Sequence, residues 1–176
     1  HDALTGLPNR VMFHDRFERV LESARRYGRH AAVLYVDLDG FKSVNDQWGH
    51  AAGDLLLQQV ARRLEDCVRA EDTVARLGGD EFGIVLATIE RADHCDVVAS
   101  KVLLAMEQPF MLEGAVAHIS ASVGAALYPR HGGDADALLA QADAAMYAAK
   151  QAGKNRFNID TALSPLADGG VAGPPG

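Results

Sequence analysis

The sequence predicts an α/β fold in which helices pack on a sheet. Helical and strand-type hydrophobic periodicities alternate along the chain, and glycine, proline or Asp-Gly signals mark the boundaries between them. The 176 residues are one domain's worth, enough to bury a core without staples. No apolar run approaches the ~20 residues that a membrane-crossing helix needs.

Pro8 suits the first turn of a helix, and behind it Phe13, Phe17, Val20, Leu21 and Ala24 recur at helical spacing until Gly28. Ala31 to Val36 is a short apolar run that stops at Asp37-Leu38-Asp39-Gly40, which reads as a buried strand. A second helix is expected over roughly His50 to Val68, with Leu56, Val60, Leu64 and Cys67 as its stripe. Thr73 to Leu77 and Glu81 to Leu86 read as two strands joined by Gly78-Gly79, because glycine accepts the positive φ of tight hairpin turns.

A third helix follows over roughly Ala92 to Gln108, with Val98, Val102 and Met106 inward, and Pro109 ends it. From Val116 to Ala126, Ile119, Ala121 and Val123 alternate with His118, Ser120 and Ser122, the pattern of a half-buried strand. Asp134 to Gln151 is an alanine-rich helix closed by Gly153, with Leu138, Leu139, Ala142, Ala145, Met146 and Ala149 inward. Arg156 to Ile159 is expected to add an edge strand. The remainder is mostly Gly, Pro and Ala. The expected organisation is therefore one domain over 1–159 and a flexible tail or linker over 160–176. His1 opens directly into a motif-like segment, so an upstream region is expected in the parent protein.

Charge and cysteine usage narrow the function. A net charge of −7, from 24 acidic and 17 basic residues, argues against a nucleic-acid partner. A polyphosphate substrate would have to be met by local lysines and metal ions. Cys67 and Cys95 lack metal-type spacing and read as small buried apolar residues, which fits a reducing cytoplasm.

Two carboxylate groups stand where folding does not require them. Asp37 and Asp39 follow a buried strand, and Asp80 and Glu81 sit at a hairpin tip. Either alone reads as turn chemistry. Together, on adjacent strands, they would repel unless a cation lay between them, and Mg²⁺ with oxygen ligands suits such a place. Two metals roughly 3.5–4 Å apart would suit in-line attack of an alkoxide on phosphorus. Lys42, Asn45, Asp46, His50 and Asp54 crowd the segment after the first strand. An Asn plus Asp pair complements the carbonyl and N–H groups of a guanine edge, although helix capping and other polar ligands fit the same residues. Lys150 and Lys154 lie at the end of the last helix, where they offset its dipole or, if that end reaches the acidic groups, contact phosphate.

These residues resemble a family. Arg76-Leu77-Gly78-Gly79-Asp80-Glu81-Phe82 contains the motif that names GGDEF-domain diguanylate cyclases, and the run from Asp37 through Asp54 resembles the family's second long motif. Asp2 to Arg10 resembles its opening segment, and Ala142 to Arg156 its closing one. The resemblance covers residues 1 to about 159, with four segments in order.

The resemblance implies a nucleotidyl-cyclase or palm-like fold, a central and mostly antiparallel sheet flanked by helices. It implies condensation of two GTP into cyclic di-GMP and two pyrophosphates, with two Mg²⁺ (or Mn²⁺) ions per active site. Asp37, Asp80 and the Leu38 carbonyl would hold the metals. Asp80 would also help deprotonate the 3′-hydroxyl, and Glu81 would support it. Asn45 and Asp54 would read guanine with His50 close by. Gly78 and Gly79 would let the backbone approach phosphate, and Lys42, Lys150 and Lys154 would neutralise the triphosphate. The family often has Arg where Lys154 stands, so the bidentate fork is lost there.

Because one domain binds one GTP, a homodimer with two-fold symmetry is implied, driven by an upstream sensory or regulatory domain. No membrane contact is expected of the domain itself. Arg69-Ala70-Glu71-Asp72, five residues ahead of Gly78, resembles the family's RxxD inhibitory site, so product inhibition through Arg69 and Asp72 is expected. The alternative is a catalytically weak domain serving as a GTP or cyclic di-GMP receptor. Such a loss usually damages the hairpin motif or the metal aspartate, and both are intact here.

Overall fold

The structure, a computed structural model, describes residues 1–159. The expected tail over 160–176 lies outside the described residues. A five-stranded sheet has the order β2-β3-β1-β6-β7, from Thr73–Gly78, Glu81–Ile89, His30–Asp39, Ser120–Tyr128 and Arg156–Asn158. Every pairing is antiparallel except β6 with β7. The sheet is thus mostly antiparallel, as expected, with β7 as an edge strand.

Helices cover both faces. Helices α1 (Arg10–Tyr27) and α5 (Ala135–Gln151) pack on one face, where Phe13, Phe17, Leu21, Leu138 and Ala142 meet Val33, Ala75, Val85 and Ala126. Helices α3 (His50–Glu65) and α4 (His94–Glu107) pack on the other, with Leu56, Leu57, Val60, Val98 and Val102 against Leu34, Val36, Ile84 and Val123. The central strand β1 is therefore apolar at successive positions, because both of its faces are covered. None of these helices is long and apolar enough to cross a membrane, among the described residues.

Four sequence expectations change. Pro8 lies outside the first helix; Asn9 caps it by accepting from the Met12 N–H, and the Pro8 carbonyl accepts from Arg76 N–H at 3.0 Å. An extra helix α2 (Phe41–Trp48) precedes α3 and hides from periodicity because Val44 is its one buried residue. The 116–126 strand is split: Ala115–Ala117 (β5) pairs with Phe110–Leu112 (β4) in a separate hairpin, and β6 begins at Ser120. Finally, β6 is covered on both faces rather than one. Its alternation places Ile119, Ala121 and Val123 toward α4, but α5 buries the serine side as well, and Ser122 is fully buried.

Candidate active site

The β1–β3 register sets Asp37 opposite Glu81, and the Leu38 N–H donates to the Asp80 carbonyl at 3.2 Å. The two carboxylate groups expected at a strand end and a hairpin tip are therefore neighbours. The tip turns through Gly78 and Gly79 at φ 142° and 51°, values that side-chain-bearing residues rarely adopt. Arg76 clamps this turn by donating through Nε and Nη2 to the Gly79 carbonyl at 3.0 and 2.8 Å.

The clamp is anchored by the start of the chain. Arg76 Nη1 donates to Asp2 Oδ1 at 3.1 Å, and Asp2 Oδ2 accepts from the Thr5 N–H and hydroxyl. Burial disfavours the Asp2 carboxylate, but Thr5 and Arg76 outweigh it and hold its pKa below the usual value. Arg10 donates to the Leu77 carbonyl and pairs with Glu81 at 3.6 Å. Sequence reasoning gave Asp2, Arg10 and Arg76 no role, although all three stand in the segments that carry the family resemblance.

Helix α5 brings a cation to the same place. Lys150 Nζ stands 3.3 Å from Asp37 Oδ1, 3.3 Å from the Leu38 carbonyl and 2.9 Å from Asp39 Oδ1. The helix end thus reaches the acidic site. Its partners raise the pKa of Lys150 despite burial, and keep it charged. Asp37 behaves differently. Burial pushes its carboxyl up to about 6; Lys150 opposes this, while Asp80 and Glu81 add to it. Asp39 sits below the ordinary value: burial works against its charge, but Lys150, Ser120, the Asn155 N–H and Ser122 together win.

This arrangement fits a divalent cation. Asp37 and the Leu38 carbonyl already share a positive group, and Asp37 has more negative charge around it than one ammonium satisfies. The donors are all oxygen, and no cluster of three or more His, Cys, Asp or Glu side chains surrounds them among the described residues. A Mg²⁺ there would draw its remaining ligands from water and phosphate, as that ion commonly does.

A cleft of about 740 Å³ opens beside these groups, lined by Asp37, Glu81, Asp143, Tyr147, Lys150 and Lys154 among others. It is large enough for a nucleotide's phosphates and sugar. Gly78 and Gly79 line a second cavity, of about 390 Å³, with Asp2, Arg10 and Arg76. Among the described residues that line the cleft, none comes from α2 or α3. Lys42, His50 and Asp54 are exposed on those helices, and Asn45 is half-buried. A Cβ at Gly53 would land on the Asn45 amide oxygen, so the bare backbone at Gly53 lets the Asn45 side chain lie against α3.

Arg69 and Asp72 stand at the opposite end of β2 from the glycine turn, roughly 20 Å along a six-residue strand. Asp72 accepts from the Arg69 and Ala87 N–H groups, each at 2.9 Å, and Arg69 Nη1 meets Glu90 at 3.0 Å.

A family profile described as "Diguanylate cyclase, GGDEF domain" matches residues 1–156. The chain is 49% identical over 157 residues to the bifunctional diguanylate cyclase/cyclic di-GMP phosphodiesterase MucR of Pseudomonas aeruginosa, covering 89% of this chain and 23% of MucR. It is 39% identical over 160 residues to the cyclic di-GMP phosphodiesterase PdeR of Escherichia coli, covering 91% of this chain and 24% of PdeR. It thus spans about a quarter of each of these relatives. The crystal structure of the GGDEF domain of TpbB (YfiN) from P. aeruginosa superposes with a TM-score of 0.86 at 40% identity, covering 88% of this chain and 97% of that one. With the family profile matching residues 1–156 and the mostly antiparallel sheet superposing on a GGDEF domain at 40% identity, the chain belongs to the GGDEF domain family.

Proposed function

We propose that this chain is a diguanylate cyclase that condenses two GTP into cyclic di-GMP and two pyrophosphates. The observation that carries this reading is the Lys150 ammonium held among Asp37 and the Leu38 carbonyl at the edge of the cleft, an oxygen site that already gathers a cation. Asp37, the Leu38 carbonyl and Asp80 would hold two Mg²⁺ or Mn²⁺ ions. Those ions supply charge neutralisation at the reacting phosphate and a lowered pKa for the attacking hydroxyl.

The chain's own residues do the rest. Asp80 accepts the proton of the 3′-hydroxyl as its oxygen attacks the α-phosphate of the other GTP. The bond from the α-phosphorus to the bridging oxygen breaks, and pyrophosphate leaves with that electron pair. Glu81, steadied by Arg10, keeps the hairpin carboxylates in place. Lys150 and Lys154 line the cleft and, with Lys42, balance the triphosphate. Gly78 and Gly79 admit phosphate close to the backbone. Asn45 and Asp54 read the guanine edge with His50 beside them.

Each domain holds one GTP, so two copies must meet about a two-fold axis, and most of the rate comes from that positioning. An upstream region of the parent protein would drive this pairing. Concentrated protein with GTP and Mg²⁺ is expected to yield cyclic di-GMP and pyrophosphate on chromatography, with more turnover per protomer when a dimeric coiled coil is fused. Asp80→Ala should yield neither. No product even from the fused dimer would discard the cyclase.

Guanine recognition has its own check. In Gly53→Ala the new methyl displaces the Asn45 amide. The KM for GTP is expected to rise about tenfold, the scale of one lost polar contact, with kcat little changed. An unchanged KM would remove Asn45 from the base site.

Arg69 and Asp72 are proposed to bind cyclic di-GMP and limit turnover. Arg69 would exchange its exposed pair with Glu90, which costs little, for a bidentate contact to guanine or phosphate. Titration of Arg69→Ala with cyclic di-GMP should show weaker binding than wild type, and equal affinity would overturn the site. A second reading, a GTP or cyclic di-GMP receptor without synthesis, draws on PdeR, which is named as a phosphodiesterase alone.

A further inference from the structure

Asp39 is the only buried carboxylate among the described residues, at 6% exposure, and the proposed mechanism leaves it idle. It gathers four hydrogen bonds from three parts of the fold. The Ser120 and Ser122 hydroxyls of β6 donate at 2.8 and 2.9 Å, the Lys150 ammonium of α5 at 2.9 Å, and the Asn155 N–H of the following turn at 3.1 Å. A carboxylate held by so many donors keeps its charge and its orientation.

Lys150 has three N–H groups and three acceptors here: Asp39, Asp37 and the Leu38 carbonyl. Two of these are the ligands proposed for the metal. A cation that takes them also repels the ammonium, so Lys150 would keep one acceptor, Asp39. Without it, a long flexible stem would let the charge disperse into solvent. The turn after α5 has the same dependence. Lys154 and Asn155 both adopt left-handed backbone, at φ 66° and 49°, and the Asn155 N–H bond to Asp39 ties that turn to the sheet.

We propose that Asp39 is a positioning residue: it keeps the Lys150 ammonium at the cleft when a cation takes Asp37 and the Leu38 carbonyl, and it anchors the turn that carries Lys154. This rests on the metal site of the proposed function. A single carboxylate then sets both lysines of the cleft toward the triphosphate.

The test needs no turnover. Lys42, Lys101, Lys150 and Lys154 are the chain's four lysines, so ¹⁵N-lysine labelling of the full chain gives a simple ammonium spectrum that Lys150→Met assigns. In the wild type, Mg²⁺ should shift the Lys150 signal and leave it visible. In Asp39→Asn the signal should be visible without Mg²⁺ and lost to solvent exchange with it. Binding of a non-hydrolysable GTP analogue should weaken about tenfold in Lys150→Met and further in Asp39→Asn, which also frees the Lys154 turn, and the double variant should bind no more weakly than Asp39→Asn alone, because Lys150 acts through Asp39.

A Lys150 signal that survives Mg²⁺ equally in Asp39→Asn, or losses that multiply in the double variant, would overturn the proposal. If Mg²⁺ moves no lysine signal in the wild type, the metal site itself fails and the inference goes with it, a signature distinct from the first. Should Asp39→Asn not fold, Ser120→Ala removes one of the four donors. It should then broaden the Lys150 signal in Mg²⁺, and an unchanged signal would again count against Asp39.

Discussion

Asp37→Asn is expected to abolish synthesis while making the metal-free protein more stable. The Asp37 carboxyl is pushed up to about 6 by burial, with Asp80 and Glu81 adding to the shift and Lys150 opposing it. Its folded pKa thus lies above the ordinary 3.8 of an unfolded chain. Between those values the folded state binds the proton more tightly, so stability falls as pH rises from about 4 to about 6, and the full cost persists above 6. An asparagine of the same shape carries no charge to ionise. At pH 8 it should gain on the order of 1–3 kcal/mol, and the advantage should close as pH falls toward 4.

Adding Mg²⁺ should reverse the order, because a ligand that binds only the folded wild type stabilises it by mass action. Turnover should fall by about 10³-fold or more, the scale of losing a metal's charge stabilisation in such a site. Thermal scans at pH 8 and pH 4, with and without Mg²⁺, check the stability claim. A variant less stable than wild type at pH 8 without metal would refute the account of Asp37. The carboxylate is costly to the metal-free fold and is explained by what it does when a cation arrives.

Gly124→Ala should produce the largest loss of stability. Gly124 lies in β6 where α5 crosses it, and a Cβ there would meet the Met146 N and the Ala142 carbonyl, both helix backbone. A side chain could rotate away, but the helix can only retreat as a body. Overpacking of this kind sits at or above the upper end of the usual range, about 3 kcal/mol or more. For a domain of this size the melting temperature should drop by about 10 °C. Retreat of α5 also carries Lys150 away from Asp37 and Asp39, so nucleotide binding should fail in whatever fraction remains folded. Gly133→Ala is the control: nothing lies within 4 Å of its Cβ and its φ is unstrained, so its melting temperature should match wild type within a degree or two. Equal melting of the two variants would show that α5 does not pack at Gly124 as described.

Most elements were legible because their signals are local. Short apolar runs bounded by turn residues mark β1 and β3, and helical stripes mark α1, α3, α4 and α5, since the 3.6 period follows from backbone geometry alone. The Gly78-Gly79 turn was legible for the same reason, and with it the exposed carboxylates Asp80 and Glu81. Helix α2 was not, because one buried residue makes no stripe, and the β4–β5 hairpin was not, because three-residue strands are too short to show alternation.

The division is sharpest at Asp37 and Asp39. Both stand two residues apart at one strand end, and the sequence by itself marked them as a single acidic group. Tertiary structure separates them: Asp37 opens to the cleft opposite Glu81, whereas Asp39 is saturated by Ser120, Ser122, Lys150 and Asn155. The same holds for the Arg76–Asp2 clamp on the glycine turn and for Asn45 lying over Gly53. What the sequence alone determined was which residues carry chemistry, because a carboxylate at a strand end has no local reason to be there. Which of them keep their charge for a ligand was decided only by the fold, because desolvation and hydrogen bonding depend on partners up to 116 residues away along the chain.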